Sequence, residues 1–359
     1  MGIVGAIAAH PMLPKRKALA VMVAACFVVP EAAANPVGPQ VVNGTVGFSQ
    51  QGATLNITNS PGAAINWQGF SIGAGETTRF IQQSAVSSVL NRVVTADPSV
   101  ILGNLLSNGR VFLINPSGIL VGQGARIDVA GLVASTLNIS NADFLSGRLS
   151  FQTNGPGLAG NVVNAGTVTT PSGGSVYLIG TNVSNSGLIT APLGEVILAT
   201  GTSVQIGDTS TPGVRAEIVG TDNKAENLGT IVAHSGKVGL VGALVRNSGR
   251  INADQVARGP DGKVYLRAKK DVVIDAGSVI SASGERGGSV TVLAEEGNAL
   301  VSGSIEAKGL VSGLVIGGAE TISESESIPG KGIGVGGQIK LLGHNVGVIG
   351  VAGIDAPGD

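Results

Sequence analysis

Asn164-Ala-Gly-Thr-Val, Asn185-Ser-Gly-Leu-Ile, Asn227-Leu-Gly-Thr-Ile and Asn247-Ser-Gly-Arg-Ile are four returns of one phrase. The first two begin 21 residues apart and the last two 20. A phrase that recurs at a nearly fixed interval, followed each time by Gly and a short apolar alternation, marks a solenoid in which every turn of chain stacks on the one before. Asn tolerates left-handed turn geometry, and its amide can pair with backbone or with the asparagine of the neighbouring turn. Asn164, Asn185, Asn227 and Asn247 are therefore read as turn and ladder residues, and Gly166, Gly187, Gly229 and Gly249 as the points that allow the bend after them.

Working outward, Ser175-Val-Tyr-Leu-Ile, Glu195-Val-Ile-Leu-Ala, Lys237-Val-Gly-Leu-Val, Lys263-Val-Tyr-Leu-Arg and Ser289-Val-Thr-Val-Leu are similar short strands whose alternation sends one set of side chains inward. Val176 and Val196 are 20 residues apart, whereas Val238, Val264 and Val290 are separated by 26 each, so the longer turns carry loops that leave a common cross-section. A sandwich also contains many short Gly-bounded strands, but it predicts variable strand partners, whereas the repeated phrase predicts stacking on like elements. The expected fold is all-β, a right-handed parallel β-helix with short extra-helical strands and loops, the hand following the usual crossover preference.

Composition agrees with a chain that turns often. There are 57 glycines among 359 residues, 43% apolar content and 13% charge, with no collagen period. The net charge of -1 gives no electrostatic reason to expect a nucleic acid partner. Lys15, Arg16 and Lys17 precede the apolar run from Ala18 to Val29, and Ala32-Ala33-Ala34 offers a cleavage site, so residues 1–34 read as a secretory signal peptide. The single cysteine, Cys26, lies in that leader, so no thiolate is expected in the mature chain. Val23-Ala24-Ala25-Cys26 also resembles a lipoprotein cleavage box, which leaves lipidation of Cys26 as the alternative.

Six of the seven phenylalanines, at 48, 70, 80, 112, 144 and 151, and the single tryptophan, Trp67, fall in the first part of the mature chain. The composition changes near residue 155. Repeat proteins need an atypical first unit to close the open end of the stack, and this aromatic region is placed to be that N-terminal cap. The organisation expected is 1–34 leader, 35–155 cap region, and 156–359 repeat shaft, which stops in material resembling another turn and so reads as truncated.

The cap region carries a family resemblance. Ile65-Asn-Trp-Gln-Gly-Phe-Ser-Ile-Gly-Ala-Gly-Glu, Phe80-Ile-Gln, Asn91-Arg-Val, Asp97-Pro-Ser-Val-Ile-Leu-Gly, Asn108-Gly-Arg-Val-Phe-Leu-Ile-Asn-Pro-Ser-Gly-Ile-Leu-Val-Gly and Val129-Ala-Gly-Leu-Val-Ala-Ser-Thr closely resemble the secretion domain of filamentous haemagglutinin-like two-partner secretion exoproteins. The resemblance supports the right-handed β-helix. It implies export by the general secretory machinery, then recognition of residues 35–155 by a cognate outer-membrane β-barrel transporter, with localisation outside the cell or on its surface after periplasmic transit. The family's Asn-Pro-Asn-Gly-Ile motif falls on Asn115, Pro116, Ser117, Gly118 and Ile119, with Ser117 in place of the second asparagine. With Trp67, Phe70, Phe80, Asn91 and Arg92, these residues are candidates for transporter recognition or for cap stability. The shaft would serve adhesion to a receptor on a host or bacterial surface, the alternatives being haem acquisition or toxin delivery by a region beyond this chain.

The remaining alternative, a polysaccharide-acting enzyme on a β-helix, would as a glycosidase need two carboxyls about 5 to 10 Å apart across a groove. Asp128, Asp143, Glu195, Asp271 and Asp275 form no repeated pair and read as solvated side chains or turn caps. His234 and His344 lack metal-ligand spacing, and Gly332-Ile-Gly-Val-Gly-Gly lacks the strand, helix and acidic context of a dinucleotide site. No catalytic residue, metal or cofactor is expected. Asn-Xaa-Ser/Thr matches at Asn43, Asn56, Asn138 and Asn182 are short enough to occur by chance.

Overall fold

A computed structural model describes residues 35–153, 160–207, 213–217, 222–255, 260–284, 287–309, 313–318, 337–349 and 352–356. The leader lies outside the described residues, and so does the expected change of region at 155, which falls within 154–159. The chain divides into Met1–Ala33 and Ala34–Asp359, and all the described residues belong to the second unit.

The second unit is a right-handed parallel β-helix whose turns each contribute to three faces. The first face is a nine-stranded sheet that includes Ile119–Val121, Val162–Asn164, Val183–Asn185, Lys224–Asn227, Leu244–Asn247 and Val272–Ile274, all parallel. The second includes Thr167–Thr169, Leu188–Thr190, Thr230–Val232, Arg250–Asn252, Val279–Ser281 and Ser304–Glu306. The third includes Ser88–Val93, Val176–Gly180, Glu195–Thr200, Lys237–Gly242, Lys263–Ala268 and Ser289–Ala294. The long strands Asn104–Ile114 and Arg126–Ser135 bend across the second and third faces.

Period-2 alternation builds the interior. On the second face the central residue is always inward, so Val168, Ile189, Ile231, Ile251, Ile280 and Ile305 stack in register and are all fully buried. Each such side chain contributes about 1.5–3 kcal/mol by leaving water. One apolar core runs from Leu55 to Leu341 without interruption.

The corners show why Gly recurs, and the reason differs from the expected one. Gly166, Gly187, Gly229 and Gly249 do not need a positive φ, since none adopts one. Space is the constraint: a Cβ on Gly187 would collide with the carbonyl oxygen of Gly166, one on Gly229 with that of Gly187, and one on Gly249 with that of Gly229. In a second column Gly194, Gly236 and Gly288 meet backbone carbonyls of the preceding turn in the same way, while Gly262 and Gly337 are confined by the carbonyls of Ala253 and Ala307 in their own turns. The turns therefore stack backbone on backbone at these corners.

At the N-terminal end the parallel pattern reverses. Val46–Gln51 pairs antiparallel with Thr54–Asn59, and Gln40–Asn43 antiparallel with Ala63–Trp67, so two strands close the second and third faces. Beneath them Phe48, Trp67, Phe70 and Phe80 form a chain of ring contacts, edge-to-face at 5.9 and 5.6 Å and stacked at 6.4 Å. Phe112, Phe144 and Phe151 lie elsewhere, in a second core outside the third face. There Asn138–Ile139, Leu149–Gln152, Ser203–Gly207 and Gly213–Glu217 make an antiparallel sheet joined by the helix Asn141–Ser146. The helix starts at Ser140, whose hydroxyl accepts from the Asp143 N–H, and ends at Gly147 in the left-handed conformation. This layer covers Leu90, Phe112, Val133, Tyr177 and Ile197, the outward residues of the third face. Burial and the carboxylate of Glu195, which accepts the Tyr177 hydroxyl at 2.8 Å, push the Tyr177 pKa up, so the phenol stays neutral under its cover.

Gly229→Ala is expected to destabilise the chain by about 1–3 kcal/mol through backbone displacement. Gly47→Ala, whose Cβ would meet nothing within 4 Å, should stay within about 0.5 kcal/mol. Denaturant melts of the two variants make the comparison, and equal stabilities would contradict the steric account.

Candidate functional site

Trp67, Phe70, Phe80 and Asn91 all point into the coil. In Ser88–Val93, Val89 and Val93 belong to the inner core, so Asn91 between them is also inward and fully buried. Its carbonyl oxygen accepts the Trp67 indole N–H at 3.0 Å, and its amide donates to the Phe112 carbonyl at 3.2 Å. A buried indole N–H needs such a partner, and the only amide on this strand supplies it.

Arg92, the next residue, points outward under the extra-helical layer. Its guanidinium donates to Asn138 Oδ1 at 2.9 Å, the Ile139 carbonyl at 2.8 Å, Asn141 Oδ1 at 3.1 Å and Asn66 Oδ1 at 3.5 Å. Burial lowers its pKa from the ordinary arginine value, but a guanidinium remains a cation. One side chain thus ties the first extra-helical strand and the start of the helix to the coil.

Asn115, Pro116, Ser117, Gly118 and Ile119 form a turn between the third face and the first. Asn115 is fully buried, its amide donating to the Asp97 carbonyl and to Ser99 Oγ, both at 2.9 Å. Its side-chain oxygen accepts the Ser117 N–H at 2.9 Å and its carbonyl the Gly118 N–H at 3.1 Å, an Asx turn within a β-turn. The bond to residue 117 uses the backbone, so serine in place of asparagine leaves the turn intact. The next turn of chain lies directly on top: Gly160 N–H donates to the Pro116 carbonyl at 2.7 Å, and Ile119 N–H to the Asn161 carbonyl at 3.0 Å. A Cβ on Gly160 would strike Ser117. Ile119 enters the core, and only Pro116 and Ser117 are half-exposed.

Asn164, Asn185, Asn227 and Asn247 occupy one register position and are all fully buried. The amide of each donates to the side-chain oxygen of the next, at 2.7, 2.8 and 2.8 Å. At one end Asn164 Oδ1 accepts the Gly166 N–H, and at the other the Asn247 amide donates to the Gly249 carbonyl. The column is closed at both ends, since the stacked neighbours beyond it are Val121 and Ile274. None of the four adopts a positive φ. The ladder, not left-handed turn geometry, accounts for asparagine here.

The carboxylates considered for catalysis are occupied structurally. Asp128 pairs with Arg126 at 2.8 Å, Asp143 with Arg148 at 2.9 Å, and Asp275 with Arg246 at 2.7 Å. Asp271 accepts the Asn298 N–H at 2.7 Å. Among the described residues no group of three or more His, Cys, Asp or Glu could hold a metal. Sequence reasoning missed Asn138 and Asn141 as partners of Arg92, and Gly160 as the lid on the Asn115 turn. Each contact joins segments more than 40 residues apart, and no short-range pattern announces it.

The TPS secretion domain family matches residues 32–279. The HMW1 secretion domain of Haemophilus influenzae is similar in structure, with a TM-score of 0.79 and 32% identity, covering 90% of this chain and 84% of that one. Two Haemophilus influenzae proteins named heme/hemopexin-binding protein are each 38% identical, over 123 and 89 residues, or 34% and 25% of this chain. Those stretches span only 13% and 10% of the relatives' own lengths.

Asn185→Leu should cost on the order of 1–3 kcal/mol in an unfolding titration, because the Asn164 amide loses its acceptor in a dry corner. For Arg92→Leu, limited proteolysis should cut within residues 137–152 while Trp67 fluorescence stays native. An uncut extra-helical layer would refute the role of the guanidinium as its tie.

Proposed function

Because the chain belongs to the TPS secretion domain family, we propose that it is a two-partner secretion exoprotein. Its N-terminal domain addresses it to a cognate outer-membrane β-barrel transporter after export by the general secretory machinery, and it reaches the exterior or the cell surface. The observation that carries this reading is the family match over residues 32–279, together with the way the motif residues are used. Trp67, Asn91, Asn115 and Ile119 are spent on packing and locking the first turns of the coil, so residues 65–125 help to hold its start together.

The fold suits passage as an unfolded chain. Each added turn buries several aliphatic side chains, such as Val183, Ile189, Val196 and Leu198, at about 1.5–3 kcal/mol apiece. A turn that stacks outside resists being drawn back.

Adhesion is the role proposed for the shaft. Beyond the extra-helical layer, Lys263–Ala268 and Ser289–Ala294 of the third face alternate half-exposed with buried residues. Outward positions there can take any polar or aromatic side chain without touching the core. The names of the two haem-related relatives favour haem acquisition as a second reading, and a Soret shift on titrating the purified chain with haemin would select it.

Deleting residues 65–125 should reduce export through the cognate transporter to background, scored as protein in the medium against protein in the periplasm. Undiminished export of the deleted chain would sink the claim that recognition depends on this region.

A further inference from the structure

Resting on the reading that a transporter engages the N-terminal domain, we propose that the contact is the free edge of Val46–Gln51, and that the partner is an extended, uncharged β-strand of the transporter's periplasmic part, added as the next strand of the sheet. The family motifs themselves are poorly placed for contact in the folded domain. Trp67, Phe70, Phe80, Asn91, Asn115 and Ile119 are all buried. What the domain presents at its N-terminal end is the outer edge of its two antiparallel strands, which pairs with no strand among the described residues.

Sheet edges are ordinarily guarded by charge, proline or a bulge. Gln40–Asn43 has two such guards, Pro39 before it and a bulge between Val41 and Asn43. Val46–Gln51 has none of them, and its register with Thr54–Asn59 is unbroken over six residues. There is no Asp, Glu, Lys or Arg from Asn35 through Gly75. The closing strands also expose apolar surface: Phe48, on this edge strand, is 41% exposed, and Val41 and Val42, on the other, each 39%. An edge of this kind reads a partner through main-chain hydrogen bonds and apolar contact. It offers no counter-charge, so a charged incoming strand would lose hydration without compensation. The strand it fits carries apolar and hydroxyl side chains.

The fold permits a clean test. Gly47 and Ser49 are exposed, and a Cβ on Gly47 would meet nothing within 4 Å. The double variant Gly47→Lys, Ser49→Lys therefore adds gatekeeping charge to the edge without disturbing the core. Gly47→Thr, Ser49→Thr is the uncharged control. Capture of the full chain by the purified periplasmic part of the cognate transporter is measured for each. The lysine variant should bind at least about tenfold more weakly at an unchanged melting temperature, the threonine variant as the unmodified chain does. Raising salt from about 50 to about 500 mM should alter affinity less than about threefold, since no ion pairs are screened. Equal capture of the lysine variant, or a steep salt dependence, overturns this placement alone. A dimer of the chain that the lysines abolish while capture persists assigns the edge to a second copy and likewise overturns it. Failure of the unmodified chain to bind overturns both the placement and the reading beneath it.

Discussion

Backbone approaching backbone at the corners of the coil is the constraint on which the rest depends. Strands stacked about 4.8 Å apart leave room for side chains along the faces but not where the chain folds sharply over an identical fold. Gly187 over Gly166 and Gly229 over Gly187 meet that limit on one corner, and Gly236 over Gly194 meets it on another. Once the corners are fixed, register is fixed. Isoleucine lies over isoleucine on the second face, and the asparagines align closely enough to bond amide to amide. The polar ladder is thus a consequence of stacking as well as a support for it, because a shift of one residue would turn four buried amides toward the wrong face.

A stack specified this strongly has a particular weakness at its start. Every turn templates the next, so the first must be closed by something that does not itself template. Reversal to antiparallel pairing does this for the second and third faces, and the rings from Phe48 to Phe80 fill the interior that narrow aliphatic side chains fill elsewhere. The Trp67 to Asn91 bond fits the same logic. A large ring fills the space, its single polar group is met by an amide on the adjacent strand, and no water is needed.

The parallel coil and its inward columns were legible because one period controls both: a side chain repeated at like positions along the sequence is a side chain stacked in space. The second core was not legible. Leu90, Phe112, Tyr177 and Ile197 alternate with inward residues just as solvent-facing ones would, and only the return of residues 138–152 over them reveals that they are covered. For the same reason the aromatic composition of residues 48–151 reads as one cap, whereas Phe112, Phe144 and Phe151 belong to the outer layer. The motif around Asn115 was visible as a pattern, but its burial was not, since Asp97, Ser99 and Gly160 come from neighbouring turns.

That burial changes how the motif residues relate to recognition. A residue locked at 2.9 Å to its own backbone neighbours cannot also bind a partner without unfolding the turn that holds it. Any contribution such residues make to a docked, folded domain must act through shape: Asn115 sets the turn, Arg92 holds the outer layer, and Asn91 holds Trp67 under the closing strands. Among the described residues, the surfaces left for direct contact are those the coil does not bury, which are its first edge and the half-exposed outer positions farther along. Structure-bearing and contact-bearing residues are thereby separated along the chain, and strong motifs coincide with the former.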